Sequence, residues 1–507
     1  MLTILSHAAL ACGGLACAAG PGGPVVQTGE KIAFAIDPEG FVEAHVQVFY
    51  EGPPDEFAWV IPVPADPEVF ISSEMAFAEL DQAIAPRFAI TAQTRGNCNP
   101  ISCRRFETAA FSVEDGGGGA LPPRNGVTVT GVGEAGPYDY LVLDGTSGQA
   151  VVDFLDGEGF DIVPELADRL APYIAPGGRF LAVRLQKDAD TGDIAPLGFR
   201  YPGTEASIPL VLTAIASAPD LGVEVTVFGE SRAVPTNYLH VELNEAHFDW
   251  QGQGQNYYGI VARAADEAGG QAFVTDFAGP TPDPGALWSP EHEITVDRLA
   301  AAAGPEEYGS LLAGRFQPWR DTDVVRALDG FADPSVLETD LARSILPDAD
   351  LAALHAQLEE RLFEPRRRAA ALFDQPYTTR MSTTIDPAEM TVDPIFALST
   401  TGLPEVPAQR DAILDIDCRG SRNRRRIVLD DGRAYDAGAF ASDEGPAALR
   451  IEQLSADEPP VVLVDNSDAA TQTADAIDGE GRGCSSGPSG AGVFLGLLML
   501  GAIKRRR

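Results

Sequence analysis

Between Val25 and Val63 apolar and polar residues take turns. Ala44, Val46, Val48 and Tyr50 alternate with Glu43, His45, Gln47 and Phe49, and after a Gly52-Pro53-Pro54 turn Phe57, Trp59, Ile61 and Val63 repeat the pattern. A period of two sends successive side chains to opposite faces of a strand, so this stretch is suited to half-buried sheet and to little else. Pro62 and Pro64 cannot donate to a ladder, which places the second strand at an edge or an end.

Further strands are expected over Val127 to Thr130, Tyr138 to Leu143, Phe180 to Leu185, Ile208 to Ala214, Val223 to Phe228, Leu239 to Leu243 and Ala272 to Thr275. Glu74 to Ile84 reads as a short helix. A second spans Pro164 to Ile174, with Pro164 in its first turn and Leu166, Leu170 and Ile174 on one face. From about Ile294 to Phe373 the period lengthens to that of a helix. Leu351, Leu354, Leu358 and Leu362 mark an amphipathic helix capped by Asp348 or Asp350 and interrupted near Pro365. Strand character returns over 380–465, with a hairpin at Asp430-Asp431-Gly432.

The expected fold is therefore α+β: a β-rich N-terminal region of sandwich-like antiparallel sheets, a helical segment and a smaller C-terminal β segment. The boundaries are 1–11 for a signal peptide, 12–280 for the β-rich domain, 281–375 for the helical segment and 376–465 for the second β segment. Residues 466–483 form an acidic linker and 484–507 a membrane or sorting tail.

A net charge of −39 repels nucleic acid and anionic lipid headgroups, so no nucleic-acid partner is expected. Cys12 and Cys17 bracket four residues, as do Cys98 and Cys103. In an oxidising compartment these spacings read as two local disulfide loops; zinc binding is the lesser alternative, opposed by the export signals and the absence of nearby His. Cys418 is left without a partner.

The tail gives an address. Cys484 lies in a Gly/Ser-rich stretch, the apolar run Ala491 to Ile503 follows, and Lys504, Arg505, Arg506 and Arg507 close it. The run alone is shorter than the ~20 residues a spanning helix needs, but extending it back to Cys484 reaches that length, with the cations held on the cytoplasmic side. This arrangement resembles the MYXO-CTERM sorting signal, over Gly483 to Arg507 only. The resemblance implies cleavage near Cys484 by a sorting protease and display at the cell surface. At the head, Leu2 to Ala11 is apolar and ends in an A-x-A-like site. No Lys or Arg precedes Lys31, so either translation starts upstream of Met1 or the signal is a weak one. Export machinery and, through the tail, a membrane are the expected partners.

The segments CGGLAC, VVQTGEKIAF, VQVFYEG, FAWVIPVPADP, AGPYDY, GGRFLAVRL and YYGIVARAADEAGGQAFVTDFAG, closed by YTTRMSTTIDPAEMTVDPIF, occur in this order. Together they resemble the bacterial domain-of-unknown-function family 2330, over roughly Cys12 to Phe396. The resemblance implies an exported, disulfide-bearing protein and carries no activity.

Catalytic and cofactor patterns fail on their physical requirements. Gly131 to Gly136 fits G-x-G-x-x-G, yet Pro137 and strand-like residues follow where a dinucleotide site needs a helix. Gly229 to Ala233 approaches G-x-S-x-G but lacks the last glycine. Asp188, Asp190 and Asp193 are weak calcium candidates, in a loop without the full ligand pattern. No other cofactor is indicated. His240, Glu242, His247 and Asp249 gather around a strand, where a satisfied histidine near Trp250 is the favoured reading. The basic knot Arg419, Arg422, Arg424, Arg425 and Arg426 is expected to pair with the chain's own carboxylates. The leading expectation is an envelope or surface protein with a non-catalytic binding or structural role. The alternatives are a secreted hydrolase whose site assembles only in the fold, found by a pocket at His240, His247 or Tyr377 to Asp393, and a calcium-dependent adhesion module.

Overall fold

The computed structural model describes residues 15–16, 26–51, 58–96, 127–158, 165–174, 178–186, 194–285, 287–318, 321–419, 424–437 and 445–468. Two sheets lie face to face. The larger has ten strands in the order Val461–Asp465, Ala448–Gln453, Leu239–Leu243, Ala272–Pro280, Tyr377–Ile385, Ser217–Gly229, Val26–Asp37, Phe41–Glu51, Leu197–Pro202 and Glu68–Ile71. The smaller has five, ordered Leu15–Ala16, Ala58–Val63, Arg179–Leu185, Tyr138–Gly145 and Val127–Ala135. Most neighbours are antiparallel; Val26–Asp37 with Ser217–Gly229 and Leu239–Leu243 with Ala272–Pro280 are parallel.

The period-two pattern decides what lies between the sheets. Ile32, Phe34 and Ile36, Val42, Ala44 and Val46, and Val223, Val225 and Val227 face inward from the larger sheet. Trp59, Ile61 and Val63 with Leu181, Val183 and Leu185 meet them from the smaller. Apolar area withdrawn from water at about 25 cal/mol per Å² is what holds this layer. Each outer face carries helices. Val151, Phe154, Leu155, Leu166 and Leu170 cover the smaller sheet against Val60, Leu143 and Phe180. On the larger, the helix Glu74–Ile84 sets Phe77, Leu80 and Ile84 against Ala33, Ala35 and Phe228, beside Ala369 and Phe373. Helix Tyr257–Glu267 covers Val241 and Val274 and is roofed in turn by Ala412, Ile427 and Leu429. Those three come from a four-stranded sheet ordered Ala434–Asp436, Arg424–Leu429, Gln409–Asp417 and Arg87–Arg95.

The helical stretch leaves and returns at one place. Pro280 pairs with Tyr377 across adjacent antiparallel strands, and Thr281 Oγ1 lies 2.8 Å from Thr378 Oγ1. Everything from 282 to 376 is thus an excursion between two paired strands, with its own core of Tyr308, Leu312, Leu354, Leu358 and Phe363. Of the strands after it, Tyr377–Ile385 lies near the centre of the larger sheet and Ala448–Gln453 and Val461–Asp465 at its edge, Ile395–Leu398 joins a three-stranded sheet, and the others belong to the four-stranded one.

Asp350 is the cap of helix Leu351–Leu358, accepting from the Ala352 and Ala353 amides. The helix widens into a π turn over Glu359–Phe363 and resumes through Pro365, which sits where a missing N–H costs least. The expected hairpin forms between Arg424–Leu429 and Ala434–Asp436, with Gly432 at φ +86. Ile208 to Ala214 is not the strand expected. Helix Leu210–Thr213 forms there, because Asp393, fixed by the Tyr173 hydroxyl at 2.6 Å, accepts from the Val211 amide and turns the chain.

Candidate functional site

Where the excursion meets the larger sheet, a carboxylate caps a helix from far away in sequence. Ser73 Oγ donates to Asp323 Oδ2 at 2.5 Å, and the amides of Glu74 and Met75 reach Asp323 at 3.3 Å. The negative charge sits against the free N–H groups and positive dipole end of helix Glu74–Ile84. Arg326 Nη2 donates to Asp323 at 2.6 Å and its Nη1 to Glu74 at 2.8 Å. Burial alone would lower the Arg326 guanidinium; the charges of Asp323 and Glu74 raise it instead. Arg366, 2% exposed, pairs with Asp321, whose carboxyl burial pushes up.

Two clefts flank this cluster. One, about 610 Å³, has Arg315, Asp321 and Arg366 in its wall. The other, about 230 Å³, has Ser72, Gln186, Arg326 and Arg361 in its wall together with the carboxylates Asp323 and Asp329. Arg361 stands on the π turn, half-buried and without an ion pair or hydrogen bond among the described residues. Such turns reshape a helix locally and recur at functional sites.

Ser72 ends a chain of hydrogen bonds that starts on strand Phe41–Glu51. Glu43 and His45, two residues apart, point to the same face. The His45 ring is wholly buried; Nδ1 lies 2.5 Å from Ser72 Oγ and Nε2 3.1 Å from Glu43 Oε1. Strand Leu197–Pro202 separates His45 from the Ser72 side, and the residue between is Gly198, paired with both His45 and Phe70. A Cβ there would come within 2.0 Å of the Phe70 ring. Only a glycine lets the His45 and Phe70 rings meet, edge to face at 5.3 Å, above that strand.

Glu43 is gripped by Arg368, with Nε at 3.1 Å and Nη2 at 3.0 Å, while that guanidinium stacks 3.4 Å from the Phe70 centroid. Burial would raise the Glu43 carboxyl, but the hydrogen bonds and charges of His45 and Arg368 bring it down to about 2. A carboxylate only accepts. In neutral His45 the proton therefore sits on Nε2, leaving Nδ1 to accept from the Ser72 hydroxyl.

The residues singled out in the sequence lie elsewhere. His240 forms a comparable chain, likewise buried, with Nε2 to Thr275 Oγ1 at 3.0 Å and Nδ1 to Glu452 at 3.4 Å, but there Arg232 also donates to Thr275. His247 is buried with Nε2 3.1 Å from the Pro446 carbonyl, and Trp250 packs near it against Phe248. Glu242 pairs with Arg450, and Asp249 accepts from the Gly252 amide. Of the Tyr377 to Asp393 stretch, Tyr377–Ile385 is a central strand, where Arg380 reaches Asp81 and Glu224 at 2.7 Å each and Asp276 at 3.5 Å, and the rest is turn and loop. Gly131 to Gly136 runs through a strand into a hairpin turn. Arg419 pairs with Asp417 as expected.

Cys418 is corrected: it is disulfide-bonded. The other five cysteines lie outside the described residues, and so does its partner. Cys12, Cys17, Cys98 and Cys103, the calcium candidates Asp188, Asp190 and Asp193, and Cys484 with Lys504, Arg505, Arg506 and Arg507 are all outside them. Among the described residues no helix is long and apolar enough to cross a membrane, and no group of three or more His, Cys, Asp or Glu could hold a metal.

His45 and Ser72 carried no motif. His45 was visible only as a polar member of an alternating strand, and Ser72 as one of two serines before a helix.

Fold and cleft together define two packed sheets with helices on both outer faces and a four-stranded sheet over one of those helices, with a small polar cleft where an inserted helical segment docks. The chain belongs to the DUF2330 family, uncharacterized proteins conserved in bacteria, whose model matches residues 6–295. The match stops inside the excursion, so the resemblance read from 296 to Phe396 lies beyond it. No curated protein and no solved structure matches the chain.

Proposed function

We propose that this is an exported cell-envelope or surface-displayed protein whose body binds a small anionic ligand in the 230 Å³ cleft. The observation that carries the binding reading is Arg361. It is a half-buried guanidinium in a cleft wall with no partner among the described residues, in a chain of net charge −39. A partly buried cation of this kind gains from a carboxylate or phosphate brought to it. The bonded Cys418 supports export, since disulfides persist in oxidising compartments. The MYXO-CTERM-like tail supports attachment to the membrane, at least until a sorting protease acts.

Melting the purified body with acetate, succinate and inorganic phosphate tests the ligand. At least one should raise Tm, and Arg361→Ala should abolish the rise. No rise with any of them, or an unchanged rise in the variant, removes the binding reading. Cell fractionation tests the address: full-length chain in the cytosol with Cys418 reduced is the result that removes it.

A further inference from the structure

Ser72 sits in that cleft at the end of an oriented proton chain, and this asks for more than binding. We propose that Ser72 is a nucleophile for acyl transfer, with His45 as its general base and Glu43 and Arg368 as positioning residues. The substrate class is a small carboxylic ester. The inference rests on the cleft being a ligand site.

The geometry supplies a hydroxyl, a base and an orienting carboxylate in turn. The hydroxyl and imidazole are in hydrogen-bond contact at 2.5 Å, and the far ring nitrogen rests on a carboxylate at 3.1 Å. Arg368 keeps that carboxylate ionised, which fixes the tautomer that makes Nδ1 the base. The similar chain at His240 is a control within the same fold. There the hydroxyl belongs to Thr275 and already receives Arg232 at 3.1 Å, whereas Ser72, itself only 3% exposed, belongs to a cleft wall and receives no guanidinium. The first chain is built to give up a proton; the second is tied down.

In the reaction, Ser72 Oγ bonds to the ester carbonyl carbon as its proton passes to His45 Nδ1. The carbonyl carbon to alkoxy bond then breaks, and the alcohol leaves with that proton. Water attacks the acyl-serine, giving a proton to Nδ1, and Ser72 recovers it as the carboxylic acid departs. Ester and water become acid and alcohol, with no redox partner needed. Arg361, in the same cleft, meets the acid product.

The test treats the intact body with a serine-directed fluorophosphonate and follows 4-nitrophenyl acetate hydrolysis in parallel. One adduct is expected, placed by fragmentation on Ser72 and not on Ser73. It should be absent in Ser72→Ala and form at least tenfold more slowly in His45→Gln. Arg368→Lys should recover part of the labelling rate lost in Arg368→Ala, which a purely structural salt bridge would not do once both variants are shown folded by circular dichroism. No adduct on Ser72, or equal labelling in His45→Gln, overturns the proposal. Succinate, acetate and phosphate shifts measured on Ser72→Ala separate the two ideas. Retained shifts without labelling of the parent protein leave the binding reading standing and end the nucleophile; loss of both in the parent ends both.

Discussion

Arg368 and Glu43 meet across 325 positions of sequence, through two parallel hydrogen bonds of 3.1 and 3.0 Å. Both side chains are less than one-fifth exposed. Removing one partner strands the other in a poorly solvated place, so Arg368→Ala should cost about 2–3 kcal/mol at neutral pH, read by chemical denaturation. Because the folded Glu43 carboxyl lies at about 2, below its ordinary 4.5, the stability it supplies is present above pH 4.5 and fades as pH falls through 2. The penalty of the variant should shrink over that same interval.

Glu30 works in the opposite sense. It is 3% exposed, its single hydrogen-bond partner among the described residues is Gln27, and burial pushes its carboxyl up to about 7. Folding therefore favours the protonated acid, and stability should fall as pH rises from about 4.5 through 7. Glu30→Gln removes the ionisation, and melting curves from pH 5 to 8 should show the variant overtaking the parent by roughly 2–3 kcal/mol at the upper end. Parallel curves for the two proteins would contradict this.

Asp323 joins the excursion to the sandwich by capping helix Glu74–Ile84 through Ser73. Asp323→Ala removes the cap and leaves Arg326 and Arg366 short of a carboxylate, a loss of about 2–4 kcal/mol. Ser73→Ala alone should lose about 1 kcal/mol, and the double variant should lose less than the sum.

Cys418 directly follows strand Gln409–Asp417, which runs parallel to Arg87–Arg95 with Asp417 opposite Arg95. Cys98 stands three residues past Arg95. Digestion without reduction should recover the Cys418 peptide joined to the one holding Cys98, in place of a Cys98–Cys103 loop. Reduction should destabilise the folded chain by roughly 2–4 kcal/mol.

Much of the framework was legible because its signals are local. Helix Glu74–Ile84, the hairpin at Gly432 and the alternation around Val46 each rest on a few adjacent residues. The Ile208 to Ala214 stretch has a strand-like composition yet turns, because a distant carboxylate, Asp393, accepts from its Val211 amide. The site was hidden for a related reason. Periodicity says that Glu43 and His45 share a face, but not that Ser72, Arg368 and Gly198 will assemble on it. His240 and His247 stand out in the sequence by clustering along the chain, and clustering does not say which partners each ring will meet in the fold.

The meeting of Pro280 with Tyr377 has a consequence for how the chain reaches its final form. A ribosome must release nearly a hundred further residues before strand Ala272–Pro280, already able to pair with Leu239–Leu243, finds its second neighbour Tyr377–Ile385. Until then half of the larger sheet shows an unpaired margin and an uncovered apolar floor. Such late-closing pairings fold slowly and invite aggregation, so a chain of this design has reason to be escorted while young. Once closed, the same junction becomes a place where length can be added or trimmed without shifting the register of any strand.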